Sequence, residues 1–423
     1  MIEPKAKTMR ILMVSVEYPP IKGGIGRYTY NLTKSLIKLG CEVYVACNKK
    51  GRGQFFGLSP TKMHNSDILL KIVDKSHPDI VHVQYEHGSY GLKLDPINPR
   101  RISTNIDSFY ERCKTPIVTT FHSSYNFKQW VSRVQAVKSA GQTGNFGTVI
   151  EYWKYILNYN SLHKLDKRKL KQSKAGIVFS HYMAKLVGGG ELIYHGAEPA
   201  IPNIATKQEA RTKFSLAKEG RIALAVGFRT AIKGWDILEN MQIPDGWNII
   251  INSSRNDYGL QDEKIILRLE RKTANIVSLK KGFLTDEELS LLMYAADALI
   301  LPYKVSSGSG VMFDGLAHGL PFVATDLGFF KEFSSIGLGI TVKRNPAAFA
   351  NALRALDKNY EGFLQRVSSF KEKLKWGTVA EQHASLYRYI IDGRSLSVAS
   401  ISNSKSIDDN NMNVASACNK ESA

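Results

Sequence analysis

Short apolar runs rich in β-branched residues alternate along the chain with amphipathic stretches of helical length. Ile11–Val16, Glu42–Cys47, Ile80–Gln84, Ile117–Phe121 and Gly176–Ser180 predict buried strands of a parallel sheet. Gly26–Leu39, Ser66–Ser76 and Thr148–Gln172 predict the helices that cover it. The rhythm then restarts. Ile222–Val226, Trp247–Ile251, Ile276–Leu279, Ala298–Leu301 and Phe322–Ala324 predict a second set of strands, interleaved with helices over Trp235–Met241, Asp262–Lys272, Asp286–Ala295 and Ser309–His318. Two doubly wound, Rossmann-like α/β units in tandem account for this pattern. The join is expected near Gly196–Lys207, where Ala197-Glu198-Pro199-Ala200-Ile201-Pro202 interrupts any helix. Beyond Arg394 the chain turns to Ser, Asn, Ala and Asp, which offer nothing to offset the entropy of ordering, so residues 395–423 are expected to be a disordered tail.

Composition changes this picture in one respect. The 423 residues suit two domains, and 43% hydrophobic with 22% charged residues is ordinary globular chemistry. The charge is unevenly spread: residues 1–200 hold 29 basic and 14 acidic side chains, the remainder 28 and 24. A one-sided field of that kind favours an anionic partner for the first half. No apolar run approaches the ~20 residues of a membrane span. Cys41, Cys47, Cys113 and Cys418 show no CxxC spacing, so neither a disulfide framework nor a zinc site is suggested, and a reducing cytoplasm is the expected compartment.

Candidate chemistry sits where predicted strands end. Lys22-Gly23-Gly24-Ile25-Gly26 turns from the first strand into a helix, a place where glycine permits close backbone approach and free N–H groups favour phosphate. It lacks the GxGxxG spacing, and the second strand ends without an acid, which disfavours a dinucleotide cofactor. His122 closes a buried strand at the edge where ligands bind in open α/β sheets. Gln84, Glu86 and His87 follow another strand end, and Glu86 and His87 are acceptor-side candidates, while His82 reads as core. Arg229 and Lys233 lie on one strand-to-helix loop, where both can point at a diphosphate. Ser306 to Val311 form a small-residue loop at the start of a helix, which suits a phosphate cradle, and Asp314 follows on that helix within reach of hydroxyl groups.

Taken in order, these segments resemble the family 4 retaining glycosyltransferases of GT-B fold, over about Met9 to Asp392. The likeness is carried by the strand–Gly-Gly–helix opening Arg10–Leu39, the strand-end histidine in Thr119–His122, the turn Tyr194-His195-Gly196-Ala197-Glu198, the segment Asp286–Pro302, and Lys375-Trp376-Gly377-Thr378-Val379-Ala380 before the last helix. The resemblance implies a first domain over residues 1–196 that binds the acceptor, a second over 197–375 that binds a nucleotide-diphosphate sugar, GDP- or UDP-linked, and a helix at 376–394 returning to the first. It implies that Arg229 and Lys233 neutralise the diphosphate, that Ser309, Gly310 and Val311 cap the phosphates, and that Asp314 holds the ribose. Gly23 and Gly24 would approach the donor across the cleft, and His122 would meet the donor sugar. Ser306 stands where the family's E-x7-E motif has its first Glu, and Asp314 shortens the second. The resemblance implies transfer of a hexosyl group with retention; no DxD motif occurs and the cationic cradle can neutralise the diphosphate, so no metal or other cofactor is expected.

The basic excess then belongs to another partner. Residues 164–174 hold six cations against one acid and follow an aromatic segment with Tyr152, Trp153, Tyr155 and Tyr159. Such a segment suits docking on an anionic bilayer, with a lipid-linked or phosphorylated glycan acceptor and a peripheral position on the cytoplasmic membrane face. A nucleic-acid-binding protein would share the charge but shows no recognised module here. A sugar-nucleotide epimerase on the same fold and a non-catalytic sugar-nucleotide-binding protein are the remaining alternatives.

Overall fold

In a computed structural model of the chain the two sets of apolar runs form two separate parallel sheets. The structure describes residues 8–94, 102–141, 153, 156–201, 206–255, 262–271 and 276–393; the expected tail lies outside them. The first sheet joins β1 (Arg10–Val14), β2 (Glu42–Asn48), β3 (Phe55–Leu58), β4 (Ile80–Tyr85), β7 (Ile117–Phe121), β8 (Ala175–Val178) and β9 (Glu191–Leu192) in the order β3-β2-β1-β4-β7-β8-β9. The second joins β10 (Arg221–Phe228), β11 (Trp247–Ser254), β12 (Ile276–Ser278), β13 (Ala298–Leu301), β14 (Phe322–Thr325) and β15 (Gly339–Val342) in the order β12-β11-β10-β13-β14-β15. A small antiparallel pair, β5 (Lys93–Leu94) and β6 (Ile102–Ser103), stands apart. Strands β3, β9 and β15 have no counterpart in the hydrophobic pattern: they are edge strands of two to four residues, too short for periodicity to declare.

The central strands behave as their composition demands. Every residue of β4, β7, β8, β13 and β14 is buried, because helices cover both faces. Local signals set the helix starts. Thr285 and Glu288 form a reciprocal capping box ahead of Asp286–Ala295, and Asn345 caps Pro346–Lys358 with proline in the first turn. Within the expected Thr148–Gln172 helix, Tyr159–Gln172 forms one helix, and Ile156 and Leu157 are helical ahead of a turn at Asn158.

The two domains share one continuous apolar layer. It runs from Ile11 and Met13 through Tyr28, Phe179 and Trp376 to Phe313, Phe329 and Phe330, while separate clusters back the opposite faces of each sheet. The final helix, Trp376–Ile391, packs on the Gly24–Lys38 helix of the first domain. Its first residue fixes the chain at the join: a Cβ on Gly196 would stand 2.4 Å from the Trp376 ring, so only glycine admits the indole there. Glu332 of the second domain accepts hydrogen bonds from the backbone N–H groups of His181 and Tyr182, at the start of a first-domain helix whose dipole favours a carboxylate.

Candidate active site

In each sheet the strand order reverses once, between β1 and β4 and between β10 and β13. Ligands in doubly wound sheets bind at the crevice such a reversal opens at the carboxyl ends of the strands. The loops that follow β1, β4, β7, β10 and β13 carry Gly23, Glu86, His87, His122, Arg229, Lys233, Ser306 and Ser309, and the helices that continue the first and last of them carry Gly24 and, in turn, Gly310, Val311 and Asp314.

The loop after β13 behaves as its composition suggests. Ser309 caps the Gly310–Ala317 helix by accepting a hydrogen bond from the Met312 N–H. That leaves the N–H groups of Gly310 and Val311, both at least partly exposed, without an intrahelical partner. The loop is pressed against the first domain. Gly308 lies beside the His122 carbonyl, Ser307 Oγ accepts from the Ser124 N–H at 3.0 Å, and Gln129 donates to the Ser306 carbonyl at 2.8 Å. His195 stacks on Phe313 at an interplanar angle of 4°, with its Nε2 3.3 Å from where a Cβ on Gly310 would stand. The helix N-terminus, His122 and His195 therefore converge at the seam.

His122 is held in one state. Its Nε2–H donates to Gln84 Oε1 at 2.8 Å, which leaves Nδ1 as the acceptor, and the ring is packed by Tyr28 and Phe179. Burial, with the nearby His195 adding a smaller effect, pushes its pKa down to about 3, so the imidazole is neutral. Behind it runs a buried polar chain. Gln84 Nε2 lies 3.2 Å from His82 Nε2, and His82 Nδ1 lies 2.6 Å from the Tyr387 hydroxyl of the final helix. His383, one turn earlier, donates from Nδ1 to the Val379 carbonyl and so accepts from the Tyr28 hydroxyl at 3.3 Å. His82 is thus the core histidine the sequence indicated, and Gln84 and Tyr387 are supports that no local motif announced.

Lys233 stands over the Tyr303 ring with its ammonium 3.9 Å from the centroid, close to Gly227, and forms no ion pair among the described residues. Gly24 has open space around it, as close ligand approach requires, whereas the Glu17 carboxylate occupies the space beside Gly23. Lys22 reaches across to Phe283, which stacks on Phe228.

Four expectations need correction. Arg229 does not present a free charge: its guanidinium is bound by Glu263 at 3.1 Å and Glu270 at 3.3 Å, with Glu263 shared with Arg255, so its charge is already paired. Ser306 turns its hydroxyl back onto the Gly308 carbonyl at 3.0 Å and is 5% exposed, so it shapes the loop instead of facing the donor sugar. His87 is buried and ion-paired with Asp166 at 2.7 Å, and Asp166 also accepts from Ser124; burial opposes its charge, but the carboxylate outweighs burial and raises its pKa. Glu86 accepts from the Ser89 N–H and lies near Ser123 and Arg133, which makes it a cap at the strand end. In each case the partner comes from a distant or local element that a lone sequence position cannot reveal.

Asp314 is where the sequence placed it, one and a half turns into the helix, but it is not alone. Arg27 of the first domain donates from Nη1 to Asp314 Oδ2 and from Nε to Asp286 Oδ1, both at 2.6 Å. Among the described residues no group of three or more His, Cys, Asp or Glu side chains is placed to hold a metal ion.

Comparison with known proteins agrees with this architecture. The model of Glycosyltransferase Family 4 matches residues 22–189, and that of Glycosyl transferases group 1 matches residues 249–359. A glycogen synthase of Mycobacterium tuberculosis is 23% identical over 409 residues, covering 90% of this chain and 94% of that protein. The sucrose-phosphate synthase of Thermosynechococcus elongatus shares the fold with a TM-score of 0.68 at 17% identity, over 91% of this chain and all of that one. Anabaena Alr3699/HepE, solved in complex with UDP and glucose, does so with a TM-score of 0.58 at 15% identity, over 89% and 99%. Two Rossmann-like domains of GT-B architecture, each matched by a glycosyltransferase model, place this chain among the family 4 type of glycosyltransferases.

Proposed function

We propose that the protein transfers a hexosyl group from a GDP- or UDP-linked sugar to a hydroxyl of a lipid-linked or phosphorylated glycan, with retention, without a metal, and at the cytoplasmic face of a membrane. The observation that carries the donor half is the convergence of the free Gly310–Val311 N–H groups with His122 and, on the neighbouring loop, Lys233, at the sheet reversal. The UDP and glucose held by the Anabaena protein of like fold support the same ligand class.

The chemistry follows from the charges. As the bond from the sugar to the diphosphate breaks, negative charge grows on the leaving oxygen. The two N–H groups, the positive end of the helix dipole and Lys233 are aimed at that charge before the reaction starts, which is the arrangement that lowers a barrier most. Neutral His122 cannot act as a charged acid; its Nδ1 accepts a hydrogen bond from a donor-sugar hydroxyl and orients the ring. The acceptor hydroxyl attacks from the face the diphosphate leaves, and its proton passes to the departing diphosphate oxygen. Configuration is therefore retained without a covalent intermediate. Asp314 holds the ribose.

The test is a panel of nucleotide sugars screened by thermal shift, followed by transfer assays with the binder and NMR assignment of the product anomer. Lys233→Ala is expected to lower turnover by about a hundredfold, the scale of losing one preorganised charge-stabilising group. Wild-type turnover in that variant would refute the phosphate site, and donor conversion without any acceptor would point to an epimerase.

A further inference from the structure

Arg27 links three elements that meet only in the folded chain. It lies one turn into the Gly24–Lys38 helix of the first domain, while its two partners, Asp286 and Asp314, begin and continue two different helices of the second. Asp314 is 5% exposed and Arg27 27%. The contacts are economical in a specific way: each carboxylate gives Arg27 one oxygen. Oδ1 of Asp314 has no partner among the described residues, so the ion pair leaves half of the carboxylate available. The planar guanidinium serves two carboxylates through fixed, separate N–H groups, which a lysine ammonium does less rigidly.

We infer that Arg27 is a positioning residue for donor recognition, which fixes the Asp314 carboxylate from across the cleft so that its free oxygen meets the ribose. The inference rests on the assignment of Asp314 to the ribose given above. It has a consequence for the whole site. The ribose contact is complete only when the first domain stands against the second, so that closure and donor binding reinforce one another.

The experiment is titration calorimetry of the full chain with UDP and GDP and with their 2′,3′-dideoxy forms, beside thermal melts without ligand to record stability separately. Wild type is expected to prefer the ribose form. Arg27→Met is expected to reduce that preference by about tenfold, the scale of one charge-assisted hydrogen bond. Asp314→Asn should give the same loss, Arg27→Lys should restore part of it, and the double variant should be no worse than either single one. A change in melting temperature alone would not move the ratio between two nucleotides, so a purely structural arginine leaves it at the wild-type value. An unchanged ratio in Arg27→Met, or additive losses in the double variant, overturns the inference while the ribose assignment stands. An unchanged ratio in Asp314→Asn overturns both.

Discussion

Gln84 shows how one residue sets the chemistry of another. Its amide oxygen takes the Nε2 proton of His122 and thereby makes Nδ1 the acceptor. Gln84→Glu would put a carboxylate at that distance and stabilise the imidazolium, raising His122 from about 3. The groups around the ring, His82 behind Gln84, His195 across the seam and the Tyr28 hydroxyl, do not supply a compensating negative charge. Donor turnover in the variant should fall as the pH drops through the raised value, because a protonated His122 can no longer accept. Wild type should show no step from His122 between about pH 5 and 8. A uniform loss with an unchanged pH profile would reduce Gln84 to packing. At this scale His122, Lys233 and the Gly310 loop were legible from their places after apolar strands. Arg229, Ser306 and His87 were misplaced for a common reason: a polar side chain's partner decides its role, and Glu270, Gly308 and Asp166 cannot be paired with them by spacing.

The helix Tyr159–Gln172 illustrates the same point for an element. Its run of cations suggested one basic surface, yet the helix sorts them by face. Lys169 is fully buried, 2.8 Å from Asp107 and over the Tyr110 ring; burial, only partly opposed by Asp107, pushes its pKa down to about 8. Arg168 reaches the same Asp107 at 3.0 Å. Lys164, Lys167 and Lys171 remain exposed, spaced three and four apart on one side of the helix, Lys174 is exposed just beyond its end, and exposed Trp153 and Leu157 precede them. Tyr152 and Tyr155 lie outside the described residues. Flotation with vesicles containing anionic lipid at low salt should recover the wild-type protein, and replacing the four exposed lysines by glutamate should abolish recovery. Lys169→Met should leave flotation intact, since that ammonium never reaches the surface. Equal recovery of the glutamate variant would dismiss the membrane face.

The whole molecule is closed around a seam of neutral histidines. Burial lowers His195 and His383 to about 4, and lowers His82 as well, alongside His122. The unfolded chain takes up protons below about pH 6.5 and the folded one does not. Stability is therefore full above that pH and falls as the pH drops toward 4, by up to about 1.4 kcal/mol per pH unit for each such group. His87 acts with the opposite sign, because its raised pKa stabilises at low pH and that contribution is lost as the pH rises through it. Thermal melts near pH 7.5 and pH 5 should show a net acid loss that His383→Gln reduces; an unchanged difference would locate the acid sensitivity elsewhere. Two doubly wound domains, the strand ends that carry the candidate site and the capped start of the Gly310–Ala317 helix can be read from the sequence alone, because hydrophobic period and turn chemistry are local. Which charges are free, how His122 is protonated and that Arg27 clasps Asp314 emerge only on folding. Those depend on partners up to 287 residues away in sequence, and on the desolvation that arises when the two sheets and the final helix meet.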